Sequence, residues 1–503
     1  MIDAYFLGID VGTQSARVGI CDSNGRLIKT TSRAYRTFFP KPGWAEQEPS
    51  DWWKAVCEST RRCVEESGIK PSDITGISFD ATSSTVLAVN REGSSLDRAI
   101  LWMDQRAVQE VEDIRKTGHP RLKYSGGQDS AEWMVPKALW LKRNRPEQFN
   151  SAFFIIEATD WIAYKLTGNW TVSKCNATCK WNYVSREGGW DRDFLAEIGL
   201  MNILDKWPER VASLGERIGG LDRKASVELG LPEGIPVAEG GVDAHVGLLG
   251  LNALNPGNIG MILGSSNVFF ILNDEPVFSP EFWGPYPDAV LDGKWLLEGG
   301  QTSSGSIVNW LVDNIYEISK NREADRNQIL EKLEELASSV PSCSEGVITL
   351  DYWQGNRTPR RDPRAKGIIF GLSLGHTFGH ILRSVYEGIS FGTKHIMDSW
   401  KSKGVKIISA TAGGGGTKSK LWLRLLADIC DLPITVPMYA DSCGIIGSAV
   451  CAAYGSGVYR SLPEAAEAMV TEERRITPTG EAESFERAYR NYLELYEKTK
   501  PLL

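Results

Sequence analysis

The 503-residue chain lacks any apolar run long enough to cross a membrane: its longest apolar stretch, 242–272, is broken by Asp243, His245, Pro256, several Asn and several Gly. A basic surplus is missing as well. Fifty-six Lys and Arg stand against 64 Asp and Glu, a net charge of -8, whereas phosphate backbones are bound by clustered cations that push the balance the other way. Neither nucleic acid nor membrane is therefore an expected partner, and a small ligand is. The opening MIDAYFLGID has no basic region ahead of an apolar core, so no secretory leader is expected and the protein is assigned to the cytoplasm. Cysteine is present without ordered spacing. Cys175 and Cys179 lie four apart, as on one helix face, but no second pair or nearby His completes a tetrahedral site, so reduced and mostly buried thiols are expected. His376 and His380 lack a third ligand too, and read as a helix start.

What is present is α/β patterning at a length that predicts two or three domains, of which two large ones suffice. YFLGID and ARVGICD flank the turn GTQS; an amphipathic helix (DWWKAVCESTRRCVEESG) and a strand-loop-strand (ITGISFDATSSTVLAVN) follow, then helical segments at SAEWMVPKALWLKRNRPEQF and EATDWIAYKLTG. Residues 169–192, rich in Trp and Gly, read as irregular structure. A first domain ends near Gly250, after which the pattern restarts with NIGMILGSSNVFFILN, a second turn between apolar strands. A helix is expected over 305–339, another over ILRSVYEGISFGTKHIMDSWKSKG, and a Gly-rich strand-to-helix turn at 413–416.

Asp10 is the odd residue of the first hairpin. An unpaired carboxylate at the end of an apolar strand is costly to desolvate unless a cation or donors meet it. With Gly12 leaving room, and Thr13, Gln14 and Ser15 supplying donors, the turn suits phosphate and a magnesium ion; an ordinary hairpin with a solvated acid fits the same letters. The 413–416 run allows close backbone approach to a ligand or is simply a flexible loop, and its GTKS continuation fails the Walker A pattern. Asp243, in GGVDAH, reads either as a base accepting a proton or as a cap for the helix after it.

Two longer patterns add a resemblance. Gly367-Ile-Ile-Phe-Gly371-Leu372, followed after seven residues by His380-Ile381 and Ser384-Val385-Tyr386-Glu387, is similar to a signature of the FGGY carbohydrate kinases. A second signature is met in part by Lys137, Trp140, Leu141 and Asn144, with Met134 and Ala138 departing from it. The resemblance implies an α/β fold of two actin-like ATPase (ribonuclease H-like) domains flanking a cleft: 1–250 with the sugar site and first phosphate loop, and 251–503 with the nucleotide site. It implies ATP and Mg2+ as cofactors, Asp243 as the base, and Ala81, Lys180, Asp243 and Glu298 as sugar contacts. Asp10 falls to the metal, Gly12, Thr13, Ser15, Gly264 and Ser265 to the phosphates, and Gly305, Gly414, Gly415 and Lys418 to the nucleotide. EGGQTSSG (298–305), GNRTP (355–359) and ATCKW (177–181) resemble ribulokinase segments, and FDATSSTVL (79–87) lacks the Met-His pair of xylulose kinases. Phosphorylation of D-ribulose at its terminal hydroxyl is the resulting expectation, with xylulose, L-ribulose, ribitol or erythritol as other substrates, a catalytically inactive nucleotide-binding sensor or scaffold as another class, and a homodimer as the oligomer.

Overall fold

Tyr5–Val11 turns back into Ser15–Asp22 with Asp10 opposite Arg17, and lies parallel to Ile74–Ala81 with Asp10 beside Asp80. Leu27–Ala34 extends the sheet on one side, and Pro236–Ala238 and Arg217–Gly220 extend it on the other. Gly241–Val242 pairs with Asp80 and Ala81 off this path, so its last residue ends level with theirs. The computed structural model describes residues 4–316 and 326–502, and these fall into two compact units. The first holds the residues up to Leu254 together with Leu272–Leu297 and Ser442–Thr471; the second holds Asn255–Ile271, Glu298–Asp441 and the residues from Glu472 on.

This division differs from a single cut after residue 250, and the reason lies in one helix. Cys443–Gly455 packs across Tyr5–Val11 and Ile74–Ala81 in the first unit although it comes late in the chain. Its seat is cleared by glycine. A Cβ at Gly8 would stand 2.4 Å from the Ile445 carbonyl oxygen, and one at Gly76 would stand 2.6 Å from that of Ala452, so any larger residue would force the helix off the sheet. Leu7, Ile9, Ile77 and Phe79 alternate with these positions and point to the opposite face, where they are fully buried.

In the second unit Asn258–Leu263 pairs antiparallel with Asn267–Asn273 and parallel with Ser409–Gly413, and the sheet continues through Ile434–Pro437 to Glu472–Ile476. Phe378–Ser402 is one 25-residue helix, and Thr377 with His380 forms a capping box at its start, as the histidine spacing predicts. Of the helix expected over 305–339, Gly305–Leu311 and Arg326–Ser338 are α-helical and Val312–Tyr316 is a π turn; 317–325 lies outside the described residues. None of the described helices is long and apolar enough to cross a membrane.

Two expectations need correction. Residues 169–192 are not irregular throughout: Val172–Ser173 is a short strand and Lys174–Lys180 a helix. The helix start is pinned at Ser173, whose N–H is accepted by Asp160 and whose hydroxyl donates to the Gly240 carbonyl. And Cys175 and Cys179 do have a histidine. His245, far along the chain, brings Nδ1 to 3.2 Å from Cys175 Sγ and 3.7 Å from Cys179 Sγ. None of the nine cysteines forms a disulfide, and all but Cys343 are buried.

Candidate active site

In the first unit three neighbouring strands end together, and each delivers a carboxylate. Asp10 is 3 % exposed and Asp80 fully buried, while Asp243, the residue after Gly241–Val242, is partly exposed and so can be reached. Ligands in α/β sheets meet the carboxyl ends of strands, and this is such an edge. Arg17 Nη2 sits 2.5 Å from Asp10 Oδ2, and Ser448 Oγ donates to Asp80 Oδ2 at 2.8 Å. The other oxygen of each, Asp10 Oδ1 and Asp80 Oδ1, is buried without a hydrogen-bond partner among the described residues. A Cβ on Gly444 would stand 3.1 Å from Asp10 Oδ2 and 3.3 Å from Asp80 Oδ2, so the glycine keeps the space between them clear.

The electrostatics follow from three acids facing one guanidinium. Burial raises the Asp10 carboxyl, with Arg17 opposing; burial followed by the charges of Asp10 and Asp243 raises Asp80 well above its ordinary value. Asp243 is pushed up to about 6, by desolvation first and the Asp10 charge second. Such a cluster is short of positive charge, which a bound cation would supply. Among the described residues the Asp243 side chain accepts only from the adjacent Ala244 N–H, and Val242 holds the cap position of the helix Asp243–Gly250, so the capping role is not seen there.

The first turn is held by hydrogen bonds to its backbone and to Thr13. Gly12 N–H donates to Ser15 O, Tyr35 hydroxyl to Gly12 O, and Gln47 Nε2 to Thr13 O at 2.7 Å. Trp102 Nε1 donates to Thr13 Oγ1 at 3.0 Å. Because indole is a donor only, the threonine hydroxyl keeps its own proton for a ligand.

Ala81 ends its strand fully buried, and the FDATSS loop after it is tied to ATCKW through Glu157. That buried carboxylate accepts from Ser84 N, Asn176 Nδ2 and Trp181 Nε1, and burial raises its pKa. Lys137 braces the same loop through Ser84 O and Leu101 O, burial holding its amine down at about 7. Lys180, 5 % exposed, ends the Lys174–Lys180 helix with Nζ 5.0 Å from the Trp133 ring, 5.5 Å from Trp283 and 5.7 Å from Tyr286. Aromatic faces around an ammonium stabilise its charge without using its donors.

In the second unit Glu298 opens the EGGQ stretch of the strand Trp295–Gln301 and is 6 % exposed. Thr358 of GNRTP clamps that strand, its hydroxyl accepting from Gly300 N and donating to Gly300 O, and Asn267 Nδ2 donates to Gln301. Gly305 lies against the Gly264–Ser265 turn, its N–H on Gly264 O, where a Cβ would stand only 2.7 Å from that oxygen. Gly414 has φ of 84° and donates to Ala440 O; a Cβ there would meet Leu263 O at 2.4 Å. Gly415 faces open space, and Lys418 is largely exposed, 3.3 Å from Asp441.

The structure thus brings Asp10 and Asp243 together with Asp80 and Arg17, which sequence reasoning missed; the register Asp10 opposite Arg17 was readable in the hairpin, but Asp80 looked like any acid after a strand. Trp133, Trp283, Tyr286 and Glu157 were missed because their neighbours lie far away in sequence.

Two sheets of this design define a pair of actin-like ATPase domains, and comparison with known proteins gives the family. The model for the N-terminal domain of the FGGY family of carbohydrate kinases matches residues 5–250, and that for the C-terminal domain matches 260–456. A Xenopus laevis protein named FGGY carbohydrate kinase domain-containing protein is 33% identical over 98% of this chain and 96% of its own. A Saccharomyces cerevisiae protein named D-ribulokinase is 32% identical over 90% of this chain and 72% of its own. The solved xylulose kinase from Rhodospirillum rubrum superimposes with a TM-score of 0.87 at 25% identity, covering 99% of both chains. Plasmodium falciparum glycerol kinase, solved with ADP, gives 0.87 at 21% identity over 99% of this chain and 98% of its own, a likeness of fold. The chain belongs to the FGGY family of carbohydrate kinases, and it is an ATP-dependent sugar phosphotransferase.

Proposed function

We propose that the chain transfers the γ-phosphoryl group of ATP to the terminal hydroxyl of a ketopentose, D-ribulose, giving ADP and D-ribulose 5-phosphate in the cytoplasm. The observation that carries the chemistry is the convergence of Asp10, Asp80 and Asp243 at adjoining strand ends. Asp243 is the reachable member, and its pKa of about 6 leaves it ionised near neutral pH yet basic enough to take the hydroxyl proton as the oxygen attacks phosphorus. Thr13 and the turn N–H groups are assigned to phosphate oxygens, as are Gly264 and Ser265, and Gly305, Gly414, Gly415 and Lys418 are assigned to the nucleotide.

Magnesium fits the residues present. Asp10 and Asp80 each keep a buried carboxylate oxygen without a partner, and hard oxygen donors are what that ion takes. These two side chains would hold it, and bound there it offsets negative charge on the moving phosphoryl group.

The choice of ketose rests on the relative named D-ribulokinase and on three braced segments. Glu157 fixes ATCKW and hence Lys180, and Thr358 fixes EGGQ and hence Glu298. Lys180 donates to ketose oxygens, Glu298 accepts from hydroxyls, and Ala81 leaves room beside Asp243. A xylulose reading has in its favour the solved protein of that name. ADP release across D-ribulose, L-ribulose, D-xylulose, ribitol and erythritol separates them: D-ribulose should show the highest kcat/KM, and a lead for D-xylulose or a tetritol would overturn the sugar while leaving the kinase.

A further inference from the structure

Behind the candidate base lies a cluster that phosphoryl transfer does not use. Cys175 and Cys179 are one helical turn apart on Lys174–Lys180, so their sulfurs leave the same face. His245 comes from the first turn of Asp243–Gly250. The three ligand atoms all lie within 4.8 Å of one another, and their residues are between 0 and 1% exposed. We propose that Cys175, Cys179 and His245 bind a divalent thiophilic cation, zinc, and that the ion ties the helix bearing Lys180 to the helix that Asp243 opens.

The distances suit that ion. With Zn–S about 2.3 Å and Zn–N about 2.0–2.1 Å, a tetrahedral centre sets sulfur and imidazole nitrogen roughly 3.6 Å apart. The separations here are 3.2 and 3.7 Å, on either side of that value. Charge balance suits it too. Two thiolates and a neutral imidazole cancel a divalent charge, whereas a monovalent copper ion would leave one negative charge buried, a costly state in so dry a place. Room for sulfur comes from Gly241, where a Cβ would press on Cys175 Cβ and Sγ at 3.1 and 3.2 Å. Three protein ligands leave a fourth position for a small donor such as water. Binding deprotonates the thiols, so each zinc taken up releases the thiol protons to solvent, with no change of oxidation state.

The site is separable from the magnesium position by its ligand chemistry, since cobalt on carboxylates gives no sulfur-to-metal charge transfer. The reduced, chelator-stripped chain titrated with Co2+ should develop sulfur-to-cobalt charge-transfer and tetrahedral d–d bands that saturate at one equivalent, and Zn2+ should bleach them. Cys175→Ser and Cys179→Ser should abolish the bands, and Cys451→Ser, at a buried cysteine outside the cluster, should keep them. Zinc should also raise the melting temperature of the stripped chain and not that of Cys179→Ser, as any ligand selective for the folded state must. No saturable charge-transfer band in the unsubstituted chain, or bands that survive both serine substitutions, would overturn the site and leave a hydrogen-bonded Cys-His-Cys core. If the variants fail to fold, zinc X-ray absorption on the unsubstituted chain decides: a shell with two sulfurs and one imidazole supports the site, and one of oxygen and nitrogen alone refutes it. No readout here uses turnover, so the outcome is independent of the sugar assignment.

Discussion

The two hairpin turns, one in each compact unit, share a plan and differ in charge. Each follows a strand that pairs antiparallel with the next one and parallel with a third: Tyr5–Val11 with Ile74–Ala81, and Asn258–Leu263 with Ser409–Gly413. In both, a glycine opens the turn. Where the first has Asp10 beside Asp80, however, the second has Ile262 beside Gly413. The backbone device, a turn presenting N–H groups at strand ends, is thus repeated without its acids. A turn alone can hold phosphate; a turn with two buried carboxylates, and a third on the neighbouring strand end, can also hold a cation and move a proton. On this account the first turn is the chemical one and the second a grip on the nucleotide.

The sharpest way to break that contrast is at the acids. Asp243→Asn should lower turnover by about 100- to 10,000-fold with ATP affinity kept, because an amide cannot take the proton. Its folding should gain at neutral pH. The folded-state pKa of Asp243 is raised from 3.8 to about 6, so stability is lost as pH rises from 3.8 through about 6, and the amide removes that cost. A melting temperature near pH 7 higher than that of the parent, with the difference vanishing on acidification, is the check. Asp80→Asn should come next, losing on the order of 100-fold in turnover and needing more magnesium, read from ADP release against Mg2+ concentration.

The turns themselves should separate by a smaller margin. Thr13→Val is expected to lower kcat by roughly tenfold with little change in ATP affinity, since its hydroxyl meets charge that develops in the transition state. Ser265→Ala should act mainly on the KM for ATP. Equal kinetic profiles for the two variants would erase the distinction. Least of all, Gly415→Val should raise the KM for ATP by a few-fold, because its side chain enters open space that the proposal gives to the nucleotide, about what one misplaced apolar contact costs. Gly414→Val is a poorer probe. Its φ of 84° and the Leu263 carbonyl at 2.4 Å would strain the backbone before any nucleotide arrived, so soluble yield should fall first.

How much of this was readable beforehand depended on distance along the chain. The first hairpin, the strand-loop-strand at 74–89, the helix begun by Thr377 and His380, and the turn at 413–416 are local patterns, and they form where the letters suggest. The return of Cys443–Gly455 to the first sheet was not legible, because its seat is made by Gly8 and Gly76, more than 300 residues away, and neither glycine shows what it must clear. The site divided the same way. Asp10 stood out as an acid in an apolar strand, whereas Asp80 was hidden in FDATSS until parallel pairing set it beside Asp10. Lys137 belongs to the partly matched signature, yet its work, holding Ser84 and Leu101 carbonyls, appears only in three dimensions. His245 was read as a neighbour of Asp243 and not as a partner for two cysteines on another helix.

The pH dependence of kcat/KM for D-ribulose, measured by ADP release with the unsubstituted chain and with Asp243→Asn at ATP and magnesium held well below saturation, tests the assignment of the base most directly. The free-enzyme pKa of an essential base appears in that profile. With Asp243 at about 6, the unsubstituted chain should lose activity roughly tenfold per unit as pH falls below that value, and the residual activity of Asp243→Asn should lack this limb. An acid limb near 6 that persists in Asp243→Asn, or near-parental activity in that variant, would contradict the account and move the proton to another group.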